Sequence, residues 1–148
     1  MGRQITIYAT VLALLHLVVA LLHNRAHAEL QIGLPGPLST LLISVILIGV
    51  YLAAALVVAA LRWPTLQRSA LLLFTVSMAA VFVFAGYYHF LVPGPDHIAH
   101  VPEGYWGDLF RGTAVLAALL EALGLILGFV WLRGPTKPFN AVHLGRAG

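Results

Sequence analysis

Histidine is the residue type in this sequence that is best suited to metal binding and proton transfer. The chain has seven histidines and five acidic residues, although only 9% of its 148 residues are charged and 61% are apolar. Histidine binds metals through either ring nitrogen and exchanges protons near neutral pH. Cysteine is absent, which excludes disulfides, thiolate-ligated zinc, iron–sulfur clusters and cysteine nucleophiles. A metal site in this chain must therefore use imidazole and carboxylate ligands.

Five of the histidines are predicted to gather toward one end of the molecule as metal ligands. His23 and His27 are spaced i, i+4, so both imidazoles can face one ion from a helix. His97 and His100 lie in a short segment that closely follows His89. Such ligands suit Zn²⁺, Fe or Cu(II), and His23 with His89 could instead bind a b-type haem. Interfacial hydrogen bonding and pH sensing stay open as alternatives.

Glu121 is the candidate catalytic carboxylate, with His16 as its partner. It lies inside an apolar stretch, where an ionised side chain costs about 2.5–3.5 kcal/mol on insertion scales and therefore has a partner or a function. The helical rise places His16 and Glu121 at similar depth, near the middle of the membrane. Two interpretations stay open: a proton-handling or metal-binding pair, and a neutral glutamic acid that hydrogen-bonds a neighbouring helix.

Four apolar spans are predicted to position these residues. The mean hydropathy of +0.96 and the shortage of charge, against about 25% in soluble domains, exclude a soluble globular domain and a disordered chain. Each span has about the 20 residues needed to cross a ~30 Å hydrocarbon core, at residues 5–27, 38–61, 69–92 and 109–132. We predict an all-α, antiparallel four-helix transmembrane bundle, forming a single domain over residues 1–148. A cleaved signal peptide is the competing interpretation of the first span.

The basic residues predict the orientation and the location of the protein. Two of them, Arg25 and Arg111, lie on one side of the predicted membrane, and six lie on the other: Arg3, Arg62, Arg68, Arg133, Lys137 and Arg146. The positive-inside rule then places both termini and a tail at 133–148 in the cytoplasm, which predicts a multi-pass protein of a cell inner membrane. The expected partners are the lipid bilayer and either a second copy or a membrane complex. The small, one-sided charge gives no support to nucleic-acid binding.

Three segments follow one another in the second half of the sequence: Gly86-Tyr87-Tyr88-His89-Phe90, then Val101-Pro102, then Leu120-Glu121-Ala122-Leu123-Gly124. Together they resemble segments of the DoxX-like family of small four-helix membrane proteins. Members of that family show a Gly-x-x-His-Phe segment ending one helix, a Val-Pro loop, and then a helix containing Gly and Glu. The three segments fall in the third and fourth spans here, whereas the family carries them in the first two. The resemblance implies a membrane accessory to redox or quinone-linked chemistry, with His89 and Glu121 at the matching positions.

Three functional hypotheses follow from these patterns. The leading one is an outward-facing His/carboxylate site that binds a transition metal or haem and is linked to redox or proton chemistry. The second is an intramembrane enzyme or small-lipid-binding protein that uses Glu121 and His16, and it predicts an elongated apolar cavity reaching Glu121. The third is a non-catalytic accessory subunit whose small-residue faces serve partner helices, which predicts polar residues that point outward from the bundle or against another chain. Whether the protein is an enzyme stays open at this point.

Overall fold

The chain folds into four long helices in the computed structural model, which describes residues 2–33 and 36–133. α1 spans Gly2–Leu30, α2 Gly36–Arg62, α3 Gln67–Gly86 and α4 Tyr105–Arg133. A 3₁₀ turn at Pro64–Leu66 joins α2 to α3, and a π-helical turn at Tyr87–Leu91 extends α3. These helices confirm the predicted all-α four-helix fold. Of the predicted tail at 133–148, Arg133 ends α4, and residues 134–148, including His143, lie outside the described residues.

The helices have the length and the surface of membrane spans. Four segments are long and apolar enough to cross a bilayer: Arg3–Leu30, Gly36–Arg62, Pro64–Leu91 and Tyr105–Arg133. Large apolar side chains cover their outward faces, while His16 and Glu121 are each only 1% exposed. A surface of this kind suits lipid tails rather than water. The structure therefore indicates a multi-pass membrane protein.

The four helices run alternately up and down around the bundle. Each helix packs mainly on two neighbours: α1 on α2 and α4, and α3 on α2 and α4. The connections after α1 and α2 are short, so α1, α2 and α3 alternate in direction. α4 runs antiparallel to α3, because Phe110 near its start lies against His89 and Gly128 near its end lies against Thr75. One end of the bundle, called here the loop end, carries residues 31–33 and 92–104. The opposite end carries Arg3, Arg62, Arg68 and Arg133.

The apolar core lies toward the end opposite the loops. It is built from small and aromatic side chains, among them Ala9, Ala53, Val57, Phe74 and Met78. Small residues let membrane helices approach closely. All buried residues of α2 lie from Val50 onward, so the first half of this helix packs less tightly than the second. Space is therefore left at the loop end, where the polar residues gather.

Candidate functional site

Three imidazoles meet near the loop end of the bundle and are called here the histidine trio: His23, His27 and His89. α1 supplies His23 and His27 one turn apart, and the π turn supplies His89. The Nε2 atom of His23 lies 3.2 Å from Nε2 of His89 and 3.2 Å from Nε2 of His27. One ligand nitrogen from each of the three rings lies within 4.8 Å of the other two. The trio has the size of a binding site for a single metal ion.

Each ring of the trio is oriented by an oxygen on its far side. Nδ1 of His27 donates to the backbone oxygen of Ile32 at 3.3 Å, and Nδ1 of His89 donates to the backbone oxygen of Asp96 at 3.0 Å. A carbonyl oxygen can only accept a hydrogen bond, so both Nδ1 atoms carry the proton.

The third ring is fixed in the same way through a hydroxyl group. Nδ1 of His23 lies 2.9 Å from Oγ1 of Thr113, and that hydroxyl donates its own proton to the backbone oxygen of Leu109 at 2.6 Å. Oγ1 must then accept from His23. In the neutral trio all three Nε2 atoms therefore carry lone pairs that point toward one another, an arrangement that a bound cation would stabilise.

Asp96 brings a carboxylate to the trio from the loop after the π turn. Its Oδ1 lies 3.2 Å from Nε2 of His27, and its Oδ2 lies 3.3 Å from Nδ1 of His89. The residue is only 3% exposed. Oδ1 has no hydrogen-bond partner within residues 2–33 and 36–133. A buried carboxylate oxygen with no hydrogen bond is costly, which again favours a cation or a water molecule at this position.

Arg111 of α4 holds the loop at 92–104 against the bundle. Its guanidinium donates to the backbone oxygen of Ile98 at 3.1 Å and to that of Val101, and it forms an ion pair with Asp108 at 3.1 Å. Asp108 is exposed, so this ion pair is weak, and the bonds to the loop backbone are the more consequential contacts. They keep Asp96 in place over the trio.

Phe110 forms an apolar wall beside the histidine trio. Its ring centroid lies 4.7 Å from that of His23, 4.9 Å from that of His27 and 5.3 Å from that of His89. The residue is fully buried. The wall restricts the approach of water from this side, so electrostatic interactions within the trio are stronger than at a hydrated surface.

His16 and Glu121 form a second polar level, deeper in the bundle. Nε2 of His16 lies 3.0 Å from Oε1 of Glu121, and both side chains are almost completely buried. This contact confirms the predicted pairing of α1 with α4. His16 Nδ1 and Glu121 Oε2 have no hydrogen-bond partner among the described residues. Both residues line the cavity described next.

A cavity of about 360 Å³ connects the two polar levels. Its upper wall includes the histidine trio and Asp96, and its deep end includes His16 and Glu121. Most of the remaining wall is apolar and comes from all four helices, including Ile43 and Leu47 of the loosely packed half of α2. The cavity thus has mostly apolar walls and reaches Glu121.

The structure separates the predicted site residues into three groups. His23, His27 and His89 form the trio, and His16 and Glu121 form the deeper pair. His97 and His100 lie apart from the trio: their rings face each other at 5.1 Å, Nδ1 of His97 accepts from the backbone of Ala99, and Nδ1 of His100 donates to the backbone oxygen of Gly94. The structure therefore does not bring them to the same point as the other three.

Three residues of the site were missed by sequence reasoning. Phe110 stands eleven residues before Glu121, close to three helical turns, and that spacing could have placed it on the same face. Thr113 lies one turn after Phe110 and carries a hydroxyl inside an apolar helix. Asp96 lies in a loop, and no spacing rule aims a loop side chain at a helix.

The fold and the site together define a four-helix, membrane-spanning bundle with a buried histidine trio near one end. Comparison with known protein families, with curated proteins and with solved structures finds no match to this chain. The resemblance to the DoxX-like family accordingly stays a prediction.

Proposed function

We propose that this protein is an inner-membrane metal-binding protein whose histidine trio holds one transition-metal ion. The observation that carries this proposal is the convergence of three imidazoles, with His23 Nε2 lying 3.2 Å from Nε2 of both His27 and His89. The Nδ1 proton of each ring is committed to a protein oxygen. Metal-binding histidines characteristically donate their other ring N–H to a carbonyl, a carboxylate or a water molecule. Neutral imidazole is the form of histidine that binds metals.

The spacing of the nitrogens supports a tetrahedral ion. With Zn–N bonds of about 2.0–2.1 Å, two ligands of a tetrahedral zinc are about 3.3–3.4 Å apart. The two measured Nε2–Nε2 distances of 3.2 Å are close to that value. Zn²⁺, Fe and Cu(II) all accept such ligands, and three protein ligands with a fourth position for water are typical of catalytic zinc sites.

A single ion fits the trio better than a b-type haem. A haem ligated by two histidines is a flat macrocycle that lies between them, so the two nitrogens must stand on opposite faces of it. His23 and His89 approach each other too closely at Nε2 to admit that plane. His27 further occupies the space beside them.

The link to proton chemistry rests on Asp96 and on the fourth metal position. A metal-bound water loses its proton far more readily than bulk water, near neutral pH at catalytic zinc sites. Oδ1 of Asp96 lies beside His27 and has room for a hydrogen bond, so it can accept one from that water. His16 and Glu121 would supply the next acid–base pair along the cavity.

A second candidate function, binding a small lipid or acting on it within the membrane, is supported by the cavity itself. Its walls are mostly apolar, and its deep end reaches Glu121 and His16. The accessory-subunit hypothesis receives no comparable support, since the polar residues in question point into the bundle rather than away from it.

Metal content tests the leading proposal. The full-length protein, purified in detergent, stripped with a chelator and reloaded with Zn²⁺, should bind one ion per chain by elemental analysis. His23→Ala, His27→Ala and His89→Ala should each lower zinc affinity by more than the roughly 10–100-fold typical of losing an outer-shell partner. His100→Ala is the matched control, because that ring bonds only to the loop, and it should leave affinity unchanged. A wild-type protein that cannot retain zinc would refute the proposal.

The same site should lose its metal on acidification. Protons compete with the ion for the neutral imidazoles, and free histidine has a pKa of about 6.5. Zinc affinity should therefore be pH-independent well above the pKa values of the ligands and fall steeply below them, with more than one proton taken up per ion released. A zinc affinity that is flat between neutral pH and pH 5 would contradict ligation by histidine.

A further inference from the structure

We propose that the cavity binds a small apolar molecule that carries one group able both to donate and to accept a hydrogen bond, a hydroxyl or a carboxylic acid. The receiving site for that group is the pair of His16 and Glu121. This inference deepens the second candidate function and rests on it, but it does not require that a metal be bound at the trio.

The positions of the protons on His16 and Glu121 define which ligand group can form hydrogen bonds with the pair. One hydrogen bond joins Nε2 of His16 to Oε1 of Glu121, which leaves His16 Nδ1 and Glu121 Oε2 without a partner among the described residues. If the pair is ionic, Nδ1 carries a proton and Oε2 accepts. If it is neutral, either Oε2 donates and Nδ1 accepts, or Nδ1 donates and Oε2 accepts.

One donor and one acceptor are therefore left in each of these arrangements of the protons. A ligand with only an acceptor, such as an ether, can pair only with the donor, and an alkane can pair with neither. A hydroxyl or a carboxylic acid both donates and accepts, so it can pair with either of the two open atoms. The pair thus selects for this chemistry in each of these arrangements.

The remainder of the cavity selects for an apolar body. Ile43, Leu47, Val81 and Phe84 line it between the two polar levels. Its volume of about 360 Å³ lies at the small end of the range of about 300–1,000 Å³ for ligand sites. The loosely packed first half of α2 borders both the cavity and the lipid-facing surface, so we assign the ligand to the bilayer rather than to the aqueous phase.

The test compares 1-decanol with n-decane, which share an apolar chain and differ in the hydroxyl. Full-length protein in nanodiscs is incubated with tritiated 1-decanol, and empty nanodiscs give the lipid background. We expect saturable binding at one site per chain, with n-decane competing at least about tenfold more weakly, which corresponds to about 1.4 kcal/mol. The double variant His16→Leu with Glu121→Leu removes every open polar atom of the pair and should reduce that preference to near unity. Glu121→Gln should retain it, because an amide both donates and accepts.

Two further variants keep the outcomes distinct. His23→Ala removes a proposed metal ligand and should leave the preference for 1-decanol intact, so failure of the metal site and failure of this inference can be told apart. Ala117→Leu adds volume to the cavity wall one turn before Glu121 and should weaken binding of both probes without changing their ratio. Equal competition by n-decane, an unchanged preference in the double variant of His16 and Glu121, or no saturable binding above empty nanodiscs would each overturn the inference.

Discussion

At the scale of single residues, the site depends as much on the oxygens behind the histidines as on the histidines themselves. Ile32 and Asp96 supply backbone acceptors to two of the rings, and Thr113 supplies a hydroxyl to the third. These contacts fix which nitrogen of each ring is free. Without them, each imidazole could turn or exchange tautomers, and the three lone pairs would not converge.

Thr113→Val is expected to weaken metal binding while leaving all three ligands in place. The substitution conserves shape and removes the oxygen that accepts from His23 Nδ1. Loss of such a partner typically costs about 10–100-fold in metal affinity, measurable by competition with a chelating dye. Thr113→Ser keeps the hydroxyl and should bind zinc like the wild type. Equal affinities for the valine and serine variants would contradict the role given to Thr113.

At the scale of elements, small residues on α4 set how closely the helices pack. A Cβ atom added at Gly128 would overlap the side chain of Thr75 on α3, and one at Gly124 would lie 2.8 Å from Met78. Phe74 and Met78 belong to the same core. Close α3–α4 packing in turn places the π turn, and with it His89, against α1.

Gly128→Ala should destabilise the bundle by about 1–3 kcal/mol, since the added methyl group overpacks a tight contact. The readout is the thermal unfolding midpoint in detergent. Gly112→Ala on the same helix has open space around the added methyl and should be neutral or slightly stabilising, because alanine favours helix more than glycine does. The double variant Thr75→Ala with Gly128→Ala should recover much of the loss. Equal midpoints for the two single variants would contradict this packing argument.

Arg111 is expected to control the loop that carries Asp96. Arg111→Ala removes two bonds to the loop backbone and should increase amide hydrogen exchange at 92–104 and speed zinc release. Asp108→Ala is the matched control, since it breaks only an exposed ion pair of the kind worth about 0–1 kcal/mol. If both variants exchange alike, the ion pair rather than the loop contact is what matters.

At the scale of the whole molecule, the topology places four arginines and the histidine trio at opposite ends of the bundle. The alternating direction of the helices collects Arg3, Arg62, Arg68 and Arg133 at one end. The histidine trio and Asp96 lie toward the other. The positive-inside rule predicts that these arginines face the cytoplasm, and the site would then be reached from the outer side of the membrane.

The absence of cysteine makes this orientation simple to test. Ala99→Cys lies on the exposed loop near the site, and Thr65→Cys lies on the exposed connection at the arginine end. In intact cells a membrane-impermeant maleimide should label the cysteine at position 99, whereas the cysteine at position 65 should react only after permeabilisation. The opposite labelling pattern would show that the site faces the cytoplasm.

The sequence by itself determined the four helices, which histidines share one face of α1, and the common depth of His16 and Glu121 in the membrane. Hydropathy and length define membrane spans because lipid leaves few alternatives for the backbone. Helical periodicity places His16, His23 and His27 on one face, and the helical rise puts His16 level with Glu121. The contact between these two residues confirms that depth argument.

Only the tertiary structure decided which histidines meet and what surrounds them. His89 reaches the trio through a π turn, and Asp96 reaches it through a loop held by Arg111; neither follows from a periodic pattern. The same limit applies to His97 and His100, whose proximity to His89 in sequence does not bring them to the trio. The cavity arises where the first half of α2 packs loosely. Sequence spacing fixes positions along one helix, whereas a site shared between helices and loops depends on how they pack.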